Sequence, residues 1–451
     1  MAPALGETIE SEGLSEILPF GPETSSNLSL IAAPRFPARA PRPADAARKP
    51  SSLERPEARA SLALYNLRGA AVAFVVMTHS SLAYVASANT SGYAFDRPPY
   101  QWLAIPILDR SRWLGFDIFC GWQDVYLMSL WFFLSGVFTW PSLERSGSKQ
   151  FLVKRVLKLG GALVFGLAVV MPVALYPVYR LSAADPSLAG YIRAYWALPF
   201  IPNGPMWFLW MLLTLTVAAA ALHRWARRAV EALGSSLAIA LVSRPVLAFT
   251  TFALVAIAAY APLAMAFTPW RWAAYGPFAF QFCRPLLYAA YFLLGLVAGR
   301  QGLGLGMLNA DGFLAKRWRA LLALAAAGFG LWLALIGYLL KLGLQAPAAL
   351  ELLTDVTFAI AGLTSVLLAL AAAFRFGTIR RPLVGALADK ALPIYLLHYA
   401  PVVWLQFVLL DLSLPAVAKG AIVFVGALAI PWGLAAGAGW LESYKAAAVR
   451  D

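Results

Sequence analysis

The sequence predicts an all-α polytopic membrane protein of about ten transmembrane helices, with both termini in the cytoplasm. Three observations lead there. The 451 residues are 61% hydrophobic and only 13% charged, whereas a soluble domain carries about 25% charge. The apolar residues gather into stretches of roughly 20, the length that crosses about 30 Å of hydrocarbon. Lys and Arg are shared very unequally between alternate connecting segments.

Residues 1 to about 60 read as a disordered cytoplasmic tail, rich in Pro, Ala and Arg as in PRFPARAPRPADAARKP and without apolar periodicity. Glu7, Glu10, Glu12 and Glu16 stand where a signal peptide carries basic residues, so the tail is not read as one. A membrane domain follows over 61–445. Its spans are expected near 64–86, 122–140, 157–179, 205–222, 246–267, 278–299, 320–340, 354–374, 391–410 and 420–440.

With the N-terminus inside, the inner segments hold 27 of the 36 Lys and Arg and the outer segments hold 9. That excess places both termini in the cytoplasm and agrees with an even number of spans. It also accounts for the net charge of +14, so the bilayer is the expected partner and nucleic acid is not. The larger outer segments, 87–121, 180–204 and 268–277, carry Trp, Tyr, Pro and Asp. They read equally as ligand-binding loops and as interfacial turns. No internal repeat is evident, which weighs against an inverted-repeat transporter.

The cysteines, Cys120 and Cys283, both fall on the expected outer side. A disulfide is open to them, but two ordinary apolar thiols are the favoured reading. No Cys/His spacing suits a metal, so no metal site is expected. No nucleophile-elbow, zinc-protease or phosphate-loop pattern is present.

The first span, LYNLRGAAVAFVVMTHSSLAYVA, carries Arg68 and His79. Their separation is three turns plus about 20°, so both face one side of a helix about 16 Å apart along its axis. His79 then lies near the middle of the hydrocarbon. An ionisable group there is either functional or a packing residue hydrogen-bonded to a neighbouring helix. His398, eight residues past Lys390, is expected about 12 Å into the membrane, at a similar depth. His223, in HRWARR, reads as an inner-surface residue. Arg284 reads as snorkelling to the outer interface, with Asp124 and Asp355 also near outer span ends. Lys154, Arg155 and Lys158 form either a positive-inside loop or a grip for a polyanionic cytoplasmic ligand such as coenzyme A.

These residues resemble acyltransferase family 3, integral membrane enzymes that acylate surface and periplasmic glycans. Arg68-x10-His79 looks like the family's signature, and Phe132-Phe133-Leu134-Ser135-Gly136 resembles its FFxxSG stretch. Arg155-Val156-Leu157-Lys158 resembles its RxxR pair. Trp207-Phe208-Leu209 and Tyr395-Leu396-Leu397-His398 resemble segments of the periplasmic-glucan succinyltransferase branch. There are departures. Tyr65 replaces the usual Asp three residues before the Arg, Lys158 replaces the second Arg, and no WSLxxE pattern follows Trp207.

The resemblance implies a multi-pass inner-membrane O-acyltransferase. It would move acetyl or succinyl from cytoplasmic acyl-CoA, a co-substrate rather than a bound cofactor, to a hydroxyl of a cell-envelope or periplasmic glycan. His79 and Arg68 would be catalytic. Arg155, Lys158, His398, Ser135 and Trp207 would bind donor or substrate. His398 could orient His79 or meet the acceptor. The competing readings are a transporter or flippase of a polar lipid or sugar, and a non-catalytic partner in envelope assembly.

Overall fold

A computed structural model describes residues 55–88, 94–98 and 100–448. Most of the expected tail therefore lies outside the described residues. Its last part is helical: Pro56 opens α1 (Pro56–Ser81), so the first helix starts eight residues before its apolar stretch. Proline suits that position, since its fixed φ matches the helix and its missing N–H would be unpaired anyway.

The second helix, α2 (Leu114–Arg155), leads into two π-turns, Val156–Gly160 and Gly166–Val170, and then α3 (Met171–Ser182). This makes a helical run of 69 residues, Leu114–Ser182. Both of its ends meet the same connecting segment. Asp117 accepts the backbone N–H groups of Ala86 and Ser87 at 2.7 and 2.9 Å. Near the other end, the rings of Tyr179 and Phe95 are 5.4 Å apart. A straight helix would hold residues 117 and 179 roughly 90 Å apart. The run therefore doubles back, and the break is at Gly147, the one residue inside it with a left-handed backbone (φ 70°).

The remaining helices are α4 (Leu188–Trp196), α5 (Trp207–Trp225), α6 (Arg227–Ser243), α7 (Pro245–Phe267) and α8 (Pro285–Gln301). They continue with α9 (Trp318–Leu342), α10 (Ala348–Phe376), α11 (Pro382–Asp389), α12 (Ala391–Leu397), α13 (Tyr399–Val408) and α14 (Ala416–Ala448). An antiparallel hairpin, Trp272–Tyr275 with Phe278–Gln281, joins α7 to α8 and pairs Tyr275 with Phe278 at its tip.

Among the described residues, seven helical stretches are long and apolar enough to cross a membrane, and an eighth if α12 and α13 form one bent span. Three features separate this from the expected ten. The second and third expected spans share the 69-residue run. The sixth loses its first turn to the hairpin and keeps a helix of 17 residues. The ninth is bent by 46° at His398.

The tightest helix contact joins α2 to α8. A Cβ on Gly136 would collide with the carbonyl oxygen of Phe292. One on Gly295 would meet the carbonyl of Phe133, and one on Gly299 that of Val137. Small residues four apart let two backbones touch, where close packing and not the hydrophobic effect drives association in lipid.

Two ion pairs, each with a buried cation, tie the helix ends. Arg284 is only 4% exposed. It donates to the Asp124 carboxylate at 2.8 Å, and its guanidinium lies 4.4 Å from the Phe358 ring centre. Its side chain is thus enclosed by its neighbours, and its charge meets a half-exposed carboxylate on α2. Lys419, 1% exposed, pairs with Asp109 at 2.7 Å and also donates to the carbonyl of Leu410. Asp109 in turn accepts the Ser111 N–H, so this pair anchors the segment before α2 to the start of α14. Cys120 and Cys283 are both free thiols.

Candidate functional site

The site is built where α1 ends. Two residues past His79 the helix stops, and the last-turn carbonyls need donors. Gln406 on α13, 2% exposed, supplies them: its Nε2 donates to the carbonyls of His79 at 2.9 Å and Ser80 at 3.4 Å. The His79 ring is flanked by His398, at 5.2 Å between centroids, and by Tyr399, edge-on at 5.4 Å.

His398 sits at the break between α12 and α13 and is completely buried. Its Nδ1 lies 2.7 Å from the carbonyl of Tyr395 and 3.2 Å from that of Ile394. A carbonyl only accepts, so Nδ1 carries the hydrogen and Nε2 of the neutral ring holds the free lone pair. Among the described residues, Nε2 has no hydrogen-bond partner.

Arg68 lies three turns back along α1. It donates to the carbonyl of Ala388 at 2.6 Å, and its guanidinium lies 5.7 Å from the Tyr65 ring centre. Tyr65 donates to the carbonyl of Gly385, and Asn66 to those of Gly377 and Ile379. Gly69 presses against the Val384 backbone, where a side chain would collide. One face of α1 is therefore lined by a single continuous segment, from Gly377 past Ala388 to Tyr399. The shared face expected from the Arg68–His79 spacing is present, and this segment covers it.

The basic pair of the next motif comes to the same end. Lys158 lies in the first π-turn, within electrostatic reach of both Arg155 and Arg68. The Arg155 guanidinium lies 5.3 Å from the Phe151 ring centre. Asp389 adds one nearby negative charge beside Arg68. Such π-turns are rare and gather at functional sites. The second one sets Gly166 against Met206 and Leu396, next to two further motifs.

Those motifs meet through stacked rings. Trp207 and Phe132 stack on Tyr288, at 5.6 and 4.8 Å. Phe208 contacts Phe132 at 5.0 Å and Tyr395 at 5.5 Å, and Tyr395 reaches His398 at 5.9 Å. The Tyr395 hydroxyl donates to the carbonyl of Pro205. Ser135 is placed differently. Its carbonyl accepts from Thr139, and among the described residues no hydrogen bond joins it to the histidines. Gly136 beside it serves the α2–α8 crossing. His223 is not a bare surface residue: its Nδ1 is 3.0 Å from the Ser148 hydroxyl, just past the Gly147 break.

Sequence reasoning missed Gln406, Tyr399 and Tyr288. Gln406 had a signal, an amide inside the apolar stretch 391–410. The two tyrosines had none, since a ring at helical spacing in a membrane span is ordinary packing.

The family model described as "Acyltransferase domain", acyltransferase family 3, matches residues 62–436. No curated protein and no solved structure matches the chain.

Proposed function

Because the chain belongs to acyltransferase family 3 and is a membrane acyltransferase, we propose that it carries an acetyl or succinyl group from cytoplasmic acyl-CoA to a hydroxyl of an envelope or periplasmic glycan. One observation supports this most. A cluster of cations, Arg68, Arg155 and Lys158, stands at one end of a helix face whose other end holds paired histidines. The cluster suits the phosphates of coenzyme A. The histidines suit proton transfer at the thioester.

In this reading His79 takes the proton of the acceptor hydroxyl as its oxygen attacks the thioester carbonyl. The new C–O bond forms, the C–S bond breaks, and the departing thiolate recovers the proton from His79. Arg155 and Lys158 hold donor phosphates, and Arg68 joins them from α1. Trp207 shapes the wall beside the Tyr395–His398 turn, and Ser135 lines the α2 side.

The chain then crosses the inner membrane ten times. The 69-residue run counts as two passes, α8 as one and the α12–α13 pair as one, with both termini in the cytoplasm. The threefold excess of Lys and Arg in the inner segments supports that orientation.

The test is release of coenzyme A from radiolabelled acetyl- or succinyl-CoA by purified protein, with envelope glycan as acceptor, beside His79→Ala. Release and glycan labelling that vanish in the variant support the reading and identify the donor. Normal labelling in the variant removes His79 from the chemistry. No turnover of either donor favours the transport reading.

A further inference from the structure

We propose that His398 is a positioning residue for His79: its bare Nε2 accepts the N–H of the His79 ring, directly or through one water, and so fixes which His79 nitrogen meets the acceptor hydroxyl. The inference rests on the reading of His79 as the base.

The geometry runs in one direction. The Nδ1 hydrogen of His398 is committed to the Tyr395 carbonyl at 2.7 Å. That bond sits at a helix break, where the ring is held by the backbone of its own preceding turn. Nε2 is left as a pure acceptor, buried and without a partner among the described residues. A buried polar atom without a partner is costly. The His79 ring centre lies 5.2 Å from the His398 ring centre.

A neutral imidazole has one donor and one acceptor nitrogen. Whichever His79 nitrogen gives its hydrogen toward His398, the other keeps the lone pair. When His79 becomes an imidazolium on taking the hydroxyl proton, the hydrogen bond to His398 strengthens, because one partner is now charged. His398 thus fills the place a carboxylate takes in catalytic triads, without a buried negative charge that the apolar interior would penalise. Tyr399 meets His79 edge-on at 5.4 Å and lies 6.3 Å from His398, so the three rings form one cluster.

The chain has only three histidines, which makes the test direct. Nitrogen-15 NMR of histidine-labelled protein in lipid nanodiscs reads the tautomer of each ring, with His223→Gln assigning the third signal. Wild type is expected to show His398 protonated at Nδ1 and His79 in a single tautomer. His398→Leu and His398→Asn, which leave the place of Nε2 without an acceptor, should turn His79 into a mixture of both tautomers. They should lower kcat about 100-fold with each KM within about twofold. His398→Gln, whose amide oxygen falls near the place of Nε2, should keep the single tautomer and recover most of kcat.

A His79 tautomer unchanged in both His398→Leu and His398→Asn overturns the proposal, as does wild-type kcat in either. The NMR arm needs no turnover. If wild type transfers no acyl group, the functional reading fails on its own while the tautomer result still decides the pairing.

Discussion

Gln406 donates its side-chain amide to the carbonyl of His79 at 2.9 Å. This bond fixes the end of the first helix against α13, and with it the height of the His79 ring. Gln406→Leu removes the donor and leaves two last-turn carbonyls in an apolar interior. The expected cost is about 1–3 kcal/mol, read as a lower midpoint of thermal unfolding in detergent. Activity should fall further than stability does, because the ring loses its fixed height. A variant with both values unchanged would show that the end of α1 is held by packing alone.

His79→Ala is expected to lower acyl transfer about 1,000-fold or more, within the range a positioned general base contributes. Its unfolding midpoint should stay near wild type, since the ring's neighbours include the His398 and Tyr399 rings, which can pack on each other. Steady-state acylation measured beside protein yield separates the two effects.

Arg68→Gln should raise the donor KM more than about 10-fold, and Arg68→Lys should recover only part of it. The guanidinium can keep its bond to the Ala388 carbonyl and still present N–H groups to a phosphate, whereas one ammonium serves both poorly. Lys158→Gln and Arg155→Gln should act in the same direction. The donor KM of wild type should rise with ionic strength as salt screens the cluster. A salt-independent KM would place the phosphates elsewhere.

Gly295→Leu should abolish folded protein, because the atom in the way is the backbone carbonyl of Phe133, which cannot turn aside. Gly330→Ala on α9 is the control. Nothing stands within 4 Å of a Cβ there, and alanine favours a helix over glycine by up to about 1 kcal/mol. Size-exclusion profiles of the two variants in detergent give the comparison.

Asp109→Asn should destabilise by about 3–5 kcal/mol, since it leaves the buried Lys419 charge without its partner. Asp109→Leu combined with Lys419→Met should recover most of that loss, because the pair's desolvation cost disappears with it. Thermal midpoints of the single and double variants test this as a cycle.

Much of this protein is determined by its sequence alone. Composition and the spacing of apolar stretches make it a helical membrane protein, because a bilayer admits only segments that satisfy their own backbone. Helical periodicity put Arg68 and His79 on one face, and the order of five short motifs pointed to the acyltransferase family that the family match bears out. Those are local properties, carried by spacing along one chain. Only the tertiary structure decided what that face meets. It turned the run from Leu114 to Ser182 back on itself at Gly147 and broke the ninth span at His398. It buried Arg284 against Asp124 and set the His398 and His79 rings 5.2 Å apart. The ion pair and the ring pair join residues more than 100 positions apart, and the turn at Gly147 depends on a single backbone torsion, none of which leaves a periodic trace in the sequence.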